Sequence, residues 1–325
     1  MRRRFRIAYI GARWDYGDRQ RGPSFEEVTF RGALEGAGHE VHPFDFMTRF
    51  QEVGRAAMNA ELARFVRQVE PDLTMFVLFK DEIQPETIRR LTDDGFVTFN
   101  WFCDDHWRFD NFSRHYAPAF SLVATTHPES VPRYHASGYD SVVLSQWACN
   151  HYAYDRRGLE PTHDVTFVGQ RYGDRPKIIR AIHKAGFDVR CWGFGWDDGR
   201  IDNEEMVRVF ETSRINLNLS NSWTGRPWRR RPAVGQIKAR MFEVPGSGGF
   251  LLSEAVPHVA RYFEVGSELE TFGDTGELIE RIGYWLDHED ERARAAERGY
   301  ARVRAEHTYD HRFEDIFTAA GLLDA

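Results

Sequence analysis

Three groups of residues have the types and spacing that chemistry needs. The first is Lys238, Arg240 and Glu243, on a short apolar run that ends at Pro245 and opens into Gly246-Ser247-Gly248-Gly249. Lysine and arginine suit phosphate oxygens, and a carboxylate suits the paired hydroxyls of a ribose. Gly248 and Gly249 let a backbone approach a ligand where a Cβ would stand in the way. The second group follows a strand-like run that ends in Gly169, and reads Gln170-Arg171-Tyr172-Gly173-Asp174-Arg175-Pro176-Lys177. Glycine backbone, cations and a helix start together favour a diphosphate, so Arg171, Arg175 and Lys177 are its candidate ligands. Plain surface charge is the alternative reading of the same loop. The third group is Cys103-Asp104-Asp105-His106-Trp107, with His127 at the end of a later run. Two adjacent acids, two histidines and an indole can supply a base, a shared proton and a face for a sugar ring. An N-cap on a solvated acidic loop and a structural histidine account for the same residues without chemistry.

These groups must be held by regular elements, and the pattern supplies them. Phe5 to Ile10 is a short apolar strand, followed by a polar loop and a helix from Phe25, with Ser24 as N-cap and Glu27 closing a capping box. A second strand starts at His39, a helix covers about Ala56 to Glu70, and the run after Pro71 reads as a buried parallel strand. A helix from Glu86 to Asp94 leads to the strand Phe96–Phe102, which ends in the acidic loop. Ligands of open α/β sheets bind at the carboxyl ends of strands, so that loop is well placed. The rhythm restarts after a looser stretch at Ala148 to Thr162. Asp164–Gly169 is a strand, Pro176–Gly186 a helix with Asp174 as its cap, Phe187–Gly193 a strand, and Glu204–Thr212 a helix capped by Asn203. Ile215–Ser220 is an alternating strand, followed by the arginine-rich loop Gly225–Pro232, read as an anion-binding loop or a solvated one. Residues 277–288 and 291–306 are amphipathic helices, and Phe313–Leu323 is the last. The expected fold is α/β, two doubly wound Rossmann-like domains. The first covers 1–155 and the second 156–308, and the helix in 309–325 returns to the first domain.

Bulk properties remove several classes of function. At 325 residues there is room for two domains with proper cores. A net charge of −7 and a pI near 6.0 argue against a general nucleic-acid binder. The three cysteines are scattered and lack metal spacing, which fits a reducing cytoplasm and no bound metal. No secretory signal is recognised, and no run approaches the roughly 20 apolar residues of a membrane span.

Phe242-Glu243-Val-Pro-Gly-Ser-Gly-Gly-Phe-Leu-Leu-Ser-Glu254 resembles the signature of the CgeB-like glycosyltransferases, relatives of the retaining family 4 enzymes with the two-domain GT-B fold. Trp101-Phe102-Cys103-Asp104-Asp105-His106-Trp107 is similar to a stretch of the same family, which commonly has Pro at the position of His106. The resemblance implies that Glu243 holds the ribose of a sugar nucleotide, as the second Glu of a Glu-x7-Glu motif. It also implies that Gly169, Arg171 and Lys177 bind the diphosphate, and that the last helix crosses back to the first domain. The first Glu of the motif falls at position 235, where this chain has Gly.

The function expected is metal-independent transfer from a nucleotide-sugar, such as a UDP-, GDP- or dTDP-sugar, with no further cofactor. Asp104, Asp105, His106 and His127 then lie near the acceptor, which is a small molecule, a glycan or a protein. Retention is expected if none of these four is a base for the acceptor hydroxyl, and inversion is open if one is. A non-catalytic GT-B-like binding or scaffold protein is the alternative, supported by Gly235; a phosphorylase is the third reading.

Overall fold

The computed structural model describes residues 3–220 and 235–324. The arginine-rich loop Gly225–Pro232 lies outside the described residues. The chain forms two compact units, 1–146 with 309–325, and 147–308. Residues 147–155, which the sequence reading assigns to the first half, belong to the second, where Tyr154 is buried in a core with Phe242 and Leu251.

The first unit is a six-stranded sheet in which every neighbouring pair is parallel, β1 (Arg6–Gly11), β2 (Glu40–Asp45), β3 (Leu73–Phe76), β4 (Thr98–Phe102), β5 (Leu122–Thr125) and β6 (Val142–Leu144), in the order β2-β1-β3-β4-β5-β6. β3, β4 and β5 are buried at every residue, Thr74, Thr98, Asn100 and Thr125 included, as strands covered by helices on both faces must be. The helix expected from Ala56 starts at Phe46, where Asp45 accepts from the Thr48 amide, and Gly54, with φ 79°, interrupts it. Ser24 caps its helix by accepting from the Glu27 amide at 3.1 Å. The reciprocal half of the expected capping box is not made: the Glu27 carboxylate pairs with Arg31 at 2.9 Å. That residue opens a π-helical turn, Glu27–Arg31. The last helix, Tyr309–Ala319, begins four residues before the expected Phe313. Tyr309 is itself core, set edge-on to Phe30 at 5.2 Å, and Phe313 is edge-on to Trp101 at 6.1 Å.

The second unit repeats the winding with five parallel strands, β7 (His163–Val168), β8 (Val189–Trp192), β9 (Ser213–Asn218), β10 (Leu251–Glu254) and β11 (Glu270–Phe272), in the order β11-β10-β9-β7-β8. In both sheets the unit's first strand lies between its second and third. The strand order therefore reverses beside β1 in one unit and beside β7 in the other, and such reversals leave a crevice at the strands' carboxyl ends. β9 alternates apolar and Asn residues, yet both kinds are buried. Asn216 donates to Phe210 O and Asn218 to the Ser220 and Ser253 hydroxyls, which makes burial tolerable. The helix read as capped by Asn203 runs Asn203–Glu211 and is capped by Asp202. Among the described residues no helix is long and apolar enough to cross a membrane.

Candidate functional site

In the second unit the loops after β7 and β8 close on each other, on the side of β7 away from β9. Gly169 N donates to Trp192 O and Arg171 N to Phe194 O, at 2.8 and 2.9 Å. The Trp196 indole N–H reaches Gly169 O at 2.9 Å. The approach depends on Gly193, which has φ +134°, and whose added Cβ would lie 2.2 Å from Gly169 O. Phe194 is well exposed beside this contact. The dependence of the β7 loop on Gly193 leaves no mark in the sequence, because the contact is between loops.

The three loop cations separate. Arg171 and Lys177 are exposed, Lys177 in the first turn of the helix Arg175–Lys184. Arg175 is buried. Its guanidinium donates to Gln170 O at 2.9 Å and Leu219 O at 2.6 Å, between the rings of Phe167 and Tyr172. Burial draws its pKa below the ordinary value, opposed by Tyr172 and Glu254. Arg175 thus ties the loop after β7 to the end of β9, and does not present a free cation. Asp174 precedes the helix without a side-chain cap bond. We expect Arg175→Ala to lower the unfolding free energy of this unit by about 2–4 kcal/mol, because two charge-assisted bonds go and two carbonyls lose their donor. Urea unfolding checks this, and a wild-type midpoint for Arg175→Ala would contradict it.

Arg240 and Glu243 lie on the helix Arg240–Gly246, which includes Pro245. Glu243 is fully buried and pairs through Oε2 with Arg240, whose side chain is 23% exposed. Arg240 Nε also reaches Val168 O, next to Gly169, at 3.4 Å. The other oxygen, Glu243 Oε1, is enclosed and makes no hydrogen bond of good geometry among the described residues. The Tyr154 hydroxyl nevertheless interacts with this carboxylate, which adds to burial in holding the Tyr154 pKa up. The neighbouring Tyr154 hydroxyl donates to Asn203 at 2.7 Å. Lys238 is partly exposed just ahead of the helix. Gly248 and Gly249 have protein, not open space, against them: a Cβ would meet Arg156 Cδ at 2.7 Å and Phe210 O at 2.4 Å. Their missing side chains serve packing of the turn onto β9. Glu254, at the end of β10, holds the Ser220 amide at 2.9 Å.

In the first unit Asp104 and Asp105 part company. Asp105 is fully buried and accepts from the Tyr134 hydroxyl at 2.8 Å. Burial raises its pKa above the ordinary 3.8, against the pull of the Ser113, Thr125 and Tyr134 hydroxyls and His127. A raised folded value means that ionisation opposes folding, so this loss grows as pH rises from 3.8 through the folded pKa and is constant above it. Asp105→Asn should therefore gain in melting temperature over wild type as pH rises through that window, and a gain that shrinks with rising pH would contradict this. Asp104 is partly exposed. His106 and His127 are partly buried with ring centroids 6.3 Å apart, and His127 lies 3.0 Å from the Ser130 hydroxyl and 3.1 Å from Glu129. Sequence reading overlooked Glu26, whose carboxyl burial pushes up, with Asp15 and Asp104 adding to the shift. No motif marks it, since it sits inside a helix start. Among the described residues no group of three or more His, Cys, Asp or Glu is placed to hold a metal ion.

Residues 175–318 match a family model described as glycosyl transferase-like. No curated protein matches the chain in sequence. Solved structures share the fold. Sucrose-phosphate synthase from Thermosynechococcus elongatus has a TM-score of 0.67 at 12% identity, over 96% of this chain and 99% of that one. HepE from Anabaena, solved with UDP, has a TM-score of 0.61 at 11% identity, over 98% and 100%. A glycosyltransferase from Rickettsia africae has 0.63 at 9%, over 99% and 100%. The two parallel-sheet α/β domains are those of the GT-B fold.

Proposed function

We propose that the chain is a glycosyltransferase that moves a sugar from a nucleotide diphosphate donor to an acceptor hydroxyl. The observation that carries this reading is Glu243: one oxygen engaged by Arg240, the other with no hydrogen bond of good geometry, beside the loop that starts at Gly169. A buried carboxylate oxygen without a well-formed hydrogen bond costs free energy, and a ribose diol can satisfy it once the side chain, fully buried in this conformation, is uncovered. Arg240, bonded to Glu243 and partly exposed, is the group a ligand meets first. The glycosyl transferase-like match over residues 175–318 and the UDP held by HepE support the same assignment.

In this reading Arg171 and Lys177 face the diphosphate, at the N-terminus of the helix Arg175–Lys184. Charge grows on the diphosphate as the bond to the sugar breaks, and these cations stabilise it where a metal does so elsewhere. Arg175 acts through the loop it holds. Lys238 and Arg240 add to the positive field. With Asp105 buried against Tyr134, the acceptor side retains Asp104, His106 and His127 as candidates in contact with the reacting groups. A front-face route, in which the departing diphosphate oxygen takes the acceptor proton, needs none of them as base and retains configuration. The enzyme is cytoplasmic in this account.

One observation favours a second reading, a binding protein without catalysis. At Gly235 a Cβ would lie 2.8 Å from Val256 Cγ1, so a Glu there has no room without rearrangement. Melting temperature in the presence of UDP, GDP and dTDP, with and without EDTA, tests for the donor site, and release of the nucleotide diphosphate from its sugar conjugate, which a binding protein does not catalyse, separates the readings. A rise with one base that survives EDTA supports the transferase. No rise with any of them, on folded protein, sinks it.

A further inference from the structure

The first unit carries an open hollow that none of the groups above uses, its floor largely apolar (Pro43, Phe44, Phe65) and its rim set with arginines. It lies at the carboxyl ends of β1 and β2, with a volume of about 390 Å³, and is lined by Arg13, Trp14, Arg19, Asp45, Thr48 and Arg49 among others. A second hollow of about 200 Å³ adjoins it through Arg13, Pro43, Phe44 and Asp45, and reaches Glu27 and Arg31. The loop that forms the wall is pinned at its base, where Trp14 bridges Pro23 and Asp15 N donates to Gly22 O at 3.0 Å.

The carboxylates here are engaged. Asp45 accepts from the Arg13 and Thr48 amides and from the Thr48 hydroxyl. Glu52 pairs with Arg49 and Glu27 with Arg31. The cations are less so. Arg13 and Arg19 both lie over the Trp14 ring, at 4.9 and 5.9 Å, and neither has a carboxylate within salt-bridge distance among the described residues. Arg31 Nε is buried and has no acceptor there. The groups left over are therefore donors, and a ligand must bring acceptors. Two guanidinium forks held on one indole suit the oxygens of a phosphate or carboxylate.

We propose that this cavity binds an oxyanion group, phosphate or carboxylate, of the acceptor; that the bound molecule is the acceptor rests on the transferase reading above. The indole under the two guanidiniums then packs against the part of the acceptor next to its charge. Arg13 and Arg19 set which acceptors bind, and they act apart from the nucleotide loop of the second unit.

The test is a titration of the full chain with methyl phosphate, followed by phosphorus NMR line width, in an Arg171→Ala/Lys177→Ala background that weakens the other cationic loop. The expected result is saturable binding that falls at least tenfold on adding Arg13→Ala/Arg19→Ala, with the Lys/Lys pair between them. Acetate that competes as well as free phosphate identifies a carboxylate ligand, and acetate that does not identifies a phosphate. Absent binding, or equal affinity with and without Arg13 and Arg19, overturns the proposal. UDP affinity is measured in parallel on the chain that keeps Arg171 and Lys177. Loss of Arg13 and Arg19 leaves it unchanged if the two sites are separate. If UDP does not bind while methyl phosphate does, the transferase reading fails and the anion site stands.

Discussion

Replacing Gly193 with alanine is expected to open the loop after β7 and lower the stability of the second unit by about 3 kcal/mol or more. Two costs combine. At φ +134° an L-residue is strained, and the new Cβ would sit 2.2 Å from Gly169 O and 2.6 Å from Gly169 C. Both obstacles are backbone, so no side chain can turn aside. Relief requires the loops after β7 and β8 to separate, which breaks the bonds from Gly169 N and Arg171 N and displaces Arg171. Urea unfolding of Gly193→Ala should show a lower midpoint at unchanged slope for the second unit. A wild-type midpoint would mean that the two loops do not constrain each other.

The second large effect is expected at Glu243. Glu243→Ala removes a fully buried carboxylate and leaves the Arg240 guanidinium, 23% exposed, without its counter-charge. Breaking such a pair from one side costs about 3 kcal/mol in stability, less than for a fully buried partner because Arg240 keeps some water. Nucleotide affinity should fall by roughly 1–3 kcal/mol through loss of the proposed ribose contact. Arg240→Met in the Glu243→Leu background separates the effects: stability should return while nucleotide binding stays lost. Calorimetry with UDP reads the second quantity, and unchanged affinity in Glu243→Ala would remove this residue from the site.

Much of the architecture was legible because it rests on local signals. A continuous apolar run marked β3, and glycine-ended runs marked β1 and β7, so the two doubly wound domains followed from alternation of strand and helix. The return of the last helix was implied by resemblance. Cap residues were harder. Asp202 and Asn203 are both good caps, and only the hydrogen bond to Glu205 N chooses between them. Glu27 has the spacing of a capping box, but Arg31 is a stronger partner for its carboxylate.

The site was legible in its residue types and less so in their roles. Arg171, Arg175 and Lys177 look alike in sequence, yet the fold buries one and exposes two, because only Arg175 lies within reach of both Gln170 O and Leu219 O. Asp104 and Asp105 are adjacent, and the turn of the helix start sends Asp105 into the core towards Tyr134. Gly248 and Gly249 suggested backbone open to a ligand, whereas their neighbours are Arg156, Phe210 and Asn216. Contacts between distant segments leave no periodic trace, which is also why Gly193 and Trp196 were not singled out as supports of the β7 loop.

The central claim is that the second unit binds a nucleoside diphosphate through the loop after β7. Calorimetric titration of UDP into the wild type and into Arg171→Ala/Lys177→Ala tests it most directly. Both side chains are exposed, so the double variant should fold as the wild type does. The account predicts measurable binding to the wild type and at least tenfold weaker binding to the variant, about 1.4 kcal/mol. Equal affinity in the two proteins, or no binding to a folded wild type, would contradict it.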